Sequence, residues 1–394
     1  MAVVTGTVGS GFEGVREAFE TNFERNGDVG AGFALYLDGE CVVDLVGGTR
    51  TVDGSEPYTA DDLQLVFSST KGATATAAHI LVDRGELDLD APVTEYWPEF
   101  GAKGKDGVPV SWLLCHRVGL PDVDRPMTFE QAIAWDPVVE ALADSVPVWE
   151  PGTQHGYHAV TYGWLVGELI RRVSGKGLGQ FFADEVAAPL DLDFWIGLPD
   201  EQHHRVVPLI TMSAPEGIFP TEEGATPPGL AEMLDMLMGP GNLIGRALTA
   251  PGGAFTDQHI WNRPEIWRAE IGAANGITNA RSMAKMYAAT IGEVDGVRLF
   301  SQETLDRALV RQVEGADSVL IFEIPFGLGY MLNGGLLTVG SPDGFGHYGA
   351  GGSLGFADPV RGIAGAYVMN KMELGIAGDA RTMGLLEAVN AALS

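Results

Sequence analysis

The sequence is poor in positive charge, in cysteine and in long apolar runs. It has 24 Lys and Arg against 53 Asp and Glu in 394 residues, a formal net charge of −29. Such a protein repels nucleic acid and anionic membranes, so we expect neither as a partner. No apolar run reaches the roughly 20 residues of a membrane-spanning helix. Two isolated thiols, Cys41 and Cys115, favour neither a disulfide framework nor a zinc site.

The composition and the first residues favour a cytoplasmic globular protein. Hydrophobic residues make up 45% of the chain and charged residues 20%, as in folded proteins. The first 20 residues lack the basic and apolar regions of a signal peptide. The acidic excess is compatible with salt tolerance or with a GC-rich genome. A chain of this length usually forms two domains, or one domain with a large insertion.

Apolar periodicity predicts secondary structure along most of the chain. Helical spacing predicts helices in the segments 11–27, 163–175, 278–292 and about 377–392. Alternation predicts strands in the C-terminal segments 326–333, 344–349, 353–359 and 362–370. Two alternating runs around Asp38-Gly39 predict a hairpin over 31–48. Thr278 is predicted to cap the helix that follows it.

Both ends of the chain are thus rich in strands, whereas the middle is mainly helical. This order predicts an α/β fold of the α+β type, in which an antiparallel sheet flanked by helices is built from both termini. We assign residues 1–67 and 270–394 to this domain. Residues 68–269 form an inserted, mainly helical domain with a loop-rich insertion near 200–270.

A serine stands where a strand-like run becomes helix-like, in VFSSTKGATATAAHILVDRG (66–85). Lys71, one of only six lysines, follows Ser68 by three positions and shares its helix face. A serine hydroxyl is a weak nucleophile until a neighbour removes its proton. A lysine can remove it only if burial or nearby cations lower its pKa from about 10.4. The pattern therefore permits nucleophilic chemistry, and the alternative is the ordinary start of a surface helix.

Two other serines compete with Ser68. Ser282-Met283-Ala284-Lys285 repeats the Ser-x-x-Lys pattern inside a predicted helix, where we expect a solvated face. Ser353 lies in a Gly-x-Ser-x-Gly motif, the nucleophile elbow of α/β-hydrolases. In that fold the serine lies between a strand and a helix, and a histidine follows it in the chain. Here no histidine follows Ser353, and the segments on both sides of it are predicted strands. Its glycines are therefore predicted to form a tight turn.

Several further segments carry a family resemblance. They are FSSTK around Ser68, SWLLCHRVGLP (111–121), PGTQHGYH (151–158), AANGITNARSMA (273–284) and GHYGAGG (346–352). In this order and spacing, over nearly the whole chain, they resemble the serine β-lactamase and penicillin-binding-protein superfamily in its class C-like branch. The most similar group is the family VIII carboxylesterases. The resemblance implies a β-lactamase/transpeptidase-like fold.

The resemblance also implies catalytic roles. Ser68 corresponds to the acylated nucleophile and Lys71 to its proton partner. Tyr157, in the place of the family's Tyr-x-Asn motif, corresponds to a phenolic general base that works with Lys71. A phenol can act in this way only if nearby cations stabilise its anion. Without the resemblance, Tyr157 would read as a half-buried core aromatic.

The family's Lys-Thr-Gly motif falls on His347-Tyr348-Gly349, so the resemblance assigns His347 and Gly349 to substrate binding. It also implies an oxyanion hole formed by the backbone N–H groups of Ser68 and Ala350. His347 stands where the family has a charged lysine, and Ala159 stands where it has an asparagine. Both changes favour neutral esters over β-lactams. For His347 alone, the simpler interpretation is a hydrogen-bonded strand histidine.

The sequence therefore predicts a serine carboxylesterase that hydrolyses small, short-chain, neutral esters through an acyl-enzyme. The alternatives are a β-lactamase, a D-aminopeptidase or an acyltransferase of the same fold, or a non-catalytic protein that binds acyl ligands. We expect a monomer or homodimer with no cofactor and no metal. His155 and His158 lack a His-Glu-x-x-His context, and His203-His204 lies in an acidic segment predicted to be a solvated loop.

Overall fold

The computed structural model describes residues 2–211, 241–373 and 378–394. The strands within these ranges are β1 Val4–Val8, β2 Gly30–Leu37, β3 Glu40–Gly48, β4 Gln64–Leu65, β5 Phe194–Ile196, β6 Gly276–Thr278, β7 Met331–Leu332, β8 Phe345–Tyr348, β9 Leu354–Asp358 and β10 Ile363–Met369. The α-helices within them are α1 Glu13–Arg25, α2 Thr70–Asp83, α3 Val110–Leu114, α4 Phe129–Ile133, α5 Asp136–Asp144, α6 Tyr162–Ser174, α7 Leu178–Phe182, α8 Ala188–Leu190, α9 Leu243–Thr249, α10 Pro264–Arg268, α11 Ala280–Ile291, α12 Gln302–Ala308 and α13 Ala380–Ala392.

Seven strands form one antiparallel sheet in the order β1-β3-β2-β10-β9-β8-β7. Its centre is the pair of β2 and β10, which joins the N-terminal strands to the C-terminal ones. The predicted fold class, an antiparallel sheet built from both termini, is therefore confirmed. The predicted strand over 326–333 is shorter than expected, because only Met331–Leu332 pairs as a strand.

The hairpin of β2 and β3 turns where the sequence predicts. Asp38 has a φ of 49° and Gly39 a φ of 83°. Two successive positive φ values define the turn whose twist matches that of the flanking strands, and Asp-Gly adopts it at low cost. The turn therefore sets the register of the pairs Leu37–Glu40 and Tyr36–Cys41, and an irregularity between Leu35 and Tyr36 shifts the pairing by one residue beyond them.

Helices cover both faces of the sheet. Gly32 of β2 faces Ala280 of α11, whereas Gly47 of β3 faces the Phe23 ring of α1. Gly32 is paired with Val46, the neighbour of Gly47, so the two glycines point to opposite faces. β10 is buried along its whole length between these layers, as its continuous apolar sequence requires.

A second, three-stranded sheet of order β4-β6-β5 was not predicted. It takes one short strand from each of the three predicted domain segments. β4 leads into a 3₁₀ turn, Phe67–Ser69, and then into α2. All residues of α2 from Thr70 to Leu81 are buried, so this helix is the centre of the helical region and not a surface helix. The proposed domain boundaries remain a prediction.

Two local predictions need correction. The cap of α11 is Asn279 and not Thr278: the Asn279 side chain accepts the N–H of Ser282, whereas the Thr278 hydroxyl donates to the backbone of Asp193. The histidine-containing segment is a 3₁₀ helix, Asp200–Arg205, and not a loop. Of the predicted loop-rich insertion, residues 212–240 lie outside the described residues.

Candidate active site

Ser68 lies in the 3₁₀ turn between β4 and α2, at a strained point of the backbone. The residue before it, Phe67, has a φ of 43° although it is not glycine. Such a conformation costs of order 1–2 kcal/mol. The Phe67 ring packs edge-on against Trp261 at 5.1 Å between centroids, a contact that holds it in place. The turn lifts Ser68 out of the buried run and leaves its side chain partly exposed.

Lys71 is completely buried one turn further along the chain. Its Nζ lies 3.1 Å from Ser68 Oγ, 2.7 Å from the carbonyl oxygen of Ala159 and 3.0 Å from that of Ala273. Burial lowers the pKa of Lys71 well below its usual 10.5. Lys71 therefore holds an amine with basic character against the Ser68 hydroxyl. The role of the Ala273 carbonyl was not predicted, because a backbone acceptor leaves no mark on the sequence.

Tyr157 lies beside Lys71 and lines the same cavity as Ser68. Its N–H donates to Asp317 Oδ1 at 3.0 Å, and its ring centroid lies 4.7 Å from Lys71 Nζ. Burial raises the pKa of Tyr157, although the neighbouring Ser68 hydroxyl acts in the opposite direction. The phenol is therefore neutral at ordinary pH.

The turn after β8 brings Gly349 and Ala350 against the Ser68 segment. A Cβ on Gly349 would lie 2.1 Å from the carbonyl oxygen of Val66, so only glycine allows this approach. Ala350 faces the same cavity as Ser68. Within the described parts of the chain, neither the Ser68 N–H nor the Ala350 N–H donates to another residue. Both amides are therefore free to bind an oxyanion.

His347 and Ala159, the two positions that depart from the family motifs, do not present polar groups to the cavity. His347 is fully buried behind Tyr157, with ring centroids 6.1 Å apart. Its Nδ1 lies 2.7 Å from the Tyr348 carbonyl oxygen, and burial lowers its pKa to about 3. Ala159 contributes its carbonyl to Lys71. His347 is thus a buried strand histidine whose Nδ1 is hydrogen-bonded, while its Nε2 has no partner among the described residues.

A small cavity opens at Ser68. Besides Ser68, Tyr157 and Ala350 it is lined by the apolar residues Leu248, Leu320, Ile324, Met331 and Leu336. These five side chains were not predicted, because they come from separate loops and short elements whose meeting no local pattern indicates. The lining favours an apolar group next to the serine.

The competing serines have other roles. Ser353 is buried in the turn after β8, where its hydroxyl donates to the Val66 carbonyl at 2.8 Å and lies 3.1 Å from Ser69 Oγ. It ties the turn to the Ser68 segment, and Gly351 and Gly352 have the positive φ of a tight turn, as predicted. Ser282 lies in the first turn of α11, not deep in the helix, and is buried, not solvated.

The other histidines considered in the sequence do not line the Ser68 cavity. His158 is buried, accepts the N–H of Leu120 at 2.9 Å and has a pKa lowered by burial to about 3. His155 is also buried, while His203 and His204 are at the surface. Among residues 2–211, 241–373 and 378–394, no group of three or more His, Cys, Asp or Glu could hold a metal ion. No helix in those ranges is long and apolar enough to cross a membrane.

Known proteins are similar to this chain in sequence and in fold. The Beta-lactamase family model matches residues 15–389. The chain belongs to this family. Among its relatives is the Esterase/beta-lactamase LipL of Mycobacterium tuberculosis, 37% identical over 94% of this chain and 83% of LipL. The chain is therefore a serine hydrolase of the β-lactamase-like fold.

Solved structures of this family are also similar. A family VIII carboxylesterase is 36% identical, with a TM-score of 0.88 over 99% of this chain and 100% of that one. A penicillin-binding protein homologue from Caulobacter crescentus is 37% identical, with a TM-score of 0.86 over the same shares. The predicted resemblance is confirmed.

Proposed function

We propose that this protein hydrolyses small neutral esters through an acyl-enzyme formed on Ser68. It is an ester hydrolase, as the names of its relatives imply, and the proposal concerns its mechanism and its substrate. The observation that carries it is the buried Lys71 amine, 3.1 Å from Ser68 Oγ at the mouth of an apolar cavity.

The surroundings of Lys71 suit a neutral amine. A neutral amine has two N–H groups and one lone pair, and the carbonyls of Ala159 and Ala273 accept the two N–H groups. As an ammonium, Lys71 donates its third N–H to Ser68 Oγ; once it is neutral, its lone pair faces that oxygen and can accept the hydroxyl proton. We therefore assign the base to Lys71, which takes the Ser68 proton as Ser68 attacks the ester carbonyl.

Tyr157 then serves as a neutral partner and not as the general base that the resemblance implies. Because its pKa is raised, Tyr157 keeps its proton at ordinary pH, and the neutral phenol has an O–H to donate. In this role it passes the proton from Lys71 to the leaving alkoxide. The same pair activates the water that hydrolyses the acyl-enzyme. The N–H groups of Ser68 and Ala350 would stabilise the oxyanion in both steps.

The cavity favours a neutral substrate. A β-lactam brings a carboxylate, and burying that charge without a cation or strong donors is costly. The side chains that line the cavity in the described residues carry no formal charge, and His347 behind them is neutral. A short acyl chain needs only the apolar wall and the two amides.

The test compares two substrates on one preparation. We expect kcat/KM for a short p-nitrophenyl ester to exceed that for nitrocefin at least about a hundredfold, which corresponds to about 2.7 kcal/mol of transition-state binding. A series of graded acyl lengths should fall in kcat/KM once the chain outgrows the cavity. Ser68→Ala is the control that assigns both activities to this site. Comparable values for the ester and nitrocefin would contradict the proposed substrate class.

A further inference from the structure

A buried arginine on α13 stands behind the turn that carries Ala350. The Arg381 side chain is almost completely buried, and all five of its N–H groups find acceptors. Nε donates to Asp379, while Nη1 donates to Asp28 Oδ1 at 3.0 Å and to the Lys371 carbonyl at 2.9 Å. Nη2 donates to Asp379 Oδ2 and, at 2.5 Å, to the carbonyl of Gly351.

Carboxylates on two sides fix the position of this guanidinium. Asp379 binds it through Nε and Nη2, and Asp28, which lies just before β2, binds Nη1. The Tyr367 hydroxyl of β10 also donates to Asp28, at 2.8 and 2.7 Å from its two oxygens. A planar five-donor fork can satisfy all these acceptors together, whereas a lysine has only three donors.

The hydrogen bonds continue from Gly351 to Ala350 through two peptide groups. The peptide whose carbonyl belongs to Gly351 has the N–H of Gly352, and this N–H donates to the Gly349 carbonyl at 3.1 Å. The peptide of the Gly349 carbonyl has the N–H of Ala350. The Arg381 guanidinium packs closely against this turn: a Cβ on Gly352 would lie 2.3 Å from Arg381 Nη2.

We propose that Arg381 is a positioning residue for the oxyanion hole and that it acts through these two peptide groups on the Ala350 N–H. The inference rests on the proposed function, because it takes the Ala350 N–H as an oxyanion donor. The guanidinium fixes the Gly351 carbonyl, which fixes the Gly352 N–H and through it the peptide of Ala350.

The chain of hydrogen bonds has an electrostatic effect as well. A bond from a charged donor is stronger than a neutral one, and bonds in series polarise one another when little water is near. Each carbonyl in this series accepts a hydrogen bond and so makes the N–H of its own peptide a better donor. Arg381 therefore strengthens the Ala350 bond to negative charge, which develops only in the transition state.

The test is Arg381→Lys, with Tyr367→Phe as the matched control. Arg381→Lys keeps a positive charge but cannot hold both carboxylates and the turn. We expect kcat for a p-nitrophenyl ester to fall about tenfold to a hundredfold, less than the 10²–10³ lost with a whole oxyanion donor, with KM changed less than about threefold. Tyr367→Phe loosens the same buried cluster but leaves the Gly351 bond. It should lower the melting temperature and keep kcat within about threefold.

A second readout separates positioning from stability. In a cinnamoyl acyl-enzyme labelled with ¹³C at the carbonyl, the infrared carbonyl stretch reports hydrogen bonding in the oxyanion hole. It should move to higher frequency in Arg381→Lys and stay unchanged in Tyr367→Phe. If Arg381→Lys does not fold, Asp379→Asn decides, since asparagine still caps α13 but frees one guanidinium donor. It should shift the stretch in the same direction.

The outcomes distinguish the two proposals. If the wild-type protein forms no acyl-enzyme on Ser68, the proposed function is wrong. If the acyl-enzyme forms and its carbonyl stretch is the same in every folded variant, only the role of Arg381 is wrong. Equal losses of kcat in Arg381→Lys and Tyr367→Phe would also overturn it, because they would indicate a general loosening of the cluster.

Discussion

The chain contains the pattern Ser-x-x-Lys twice, and the two copies have different surroundings. At the first copy, Ser68 opens onto a cavity and Lys71 is buried against its hydroxyl. At the second, the Ser282 hydroxyl accepts the N–H of Asp193 at 2.9 Å. Lys285 points away from Ser282, to the carbonyl of Leu190 and to Asp295, each 2.7 Å away.

Two differences separate a reactive pair from a structural one. The first is the backbone: the N–H of Ser282 is used by the Asn279 cap, whereas that of Ser68 has no partner in the described residues. The second is the charge of the lysine. Lys285 pairs with the carboxylate of Asp295. Lys71 has only neutral acceptors, and burial lowers its pKa. The pattern fixes spacing, and the surroundings decide the chemistry.

The largest expected effect is on catalytic activity when Ser68 is replaced. Ser68→Ala should lower ester hydrolysis by at least about a thousandfold, because the nucleophile is lost. Ser282→Ala and Ser353→Ala should keep most of the activity. A fluorophosphonate probe followed by mass spectrometry should find the adduct on Ser68. An adduct on Ser282 or Ser353 would overturn the assignment.

Replacing Lys71 should lower activity far more than replacing Lys285, and this contrast should be almost as large as that between the serines. Lys71→Met should lower kcat by about 10²–10⁴, the range of general-base catalysis, whereas Lys285→Met should stay within about threefold. Tyr157→Phe added to Lys71→Met should cost far less than the product of the two single losses, because both side chains serve one proton transfer. Steady-state kinetics of the four variants decides, and independent losses would count against a shared unit.

The pH profile reports the charge of Lys71. The base is active in its neutral form, so kcat/KM should rise with pH through the pKa of Lys71 and then level off. Because burial lowers that pKa, the plateau should begin well below 10.5. A profile that climbs tenfold per unit up to pH 10, after subtraction of spontaneous hydrolysis, would show that Lys71 keeps an ordinary pKa.

The smallest expected effect is on stability. Here replacing Ser282 should cost more than replacing Ser68, whereas for activity the order is the opposite. Ser282→Ala leaves the Asp193 N–H without its acceptor, which should lower the free energy of unfolding by about 1 kcal/mol. Ser68→Ala should lower it less, since that hydroxyl borders the open cavity. Urea unfolding of both variants measures the difference. A larger loss for Ser68→Ala would mean that its hydroxyl has a structural role.

Much of the fold could be predicted because its larger elements carry their own signals. The hairpin of β2 and β3 has its Asp-Gly turn, and α6 ends at Gly175, whose φ is 73°. The three-stranded sheet has no such signal, since strands of two or three residues form only when distant partners meet. The cap of α11 was placed one residue early because Thr278 and Asn279 are both good caps, and pairing in β6 occupies Thr278.

The site was predictable where its residues follow motifs and unpredictable where they meet only in the folded chain. Ser68, Lys71, Tyr157 and Ala350, which the motifs name, lie together in the structure. The neutral state of Tyr157 and the burial of His347 depend on desolvation, which cannot be read from neighbours in sequence. The role of Arg381 could not be predicted from sequence patterns, because its partners are distant in the chain: Asp28 is 353 positions away and Gly351 is 30 positions away.

The pairing of β2 with β10 has a consequence for how the chain folds. At this seam the Gly30 N–H bonds to Asn370, 340 positions away. Such distant contacts give a high contact order, and a large loop must close before they stabilise anything. On a ribosome, β2 and β3 emerge long before β10, and an isolated hairpin is marginally stable. Until β10 has emerged, the apolar edge of β2 is open to pairing with other chains.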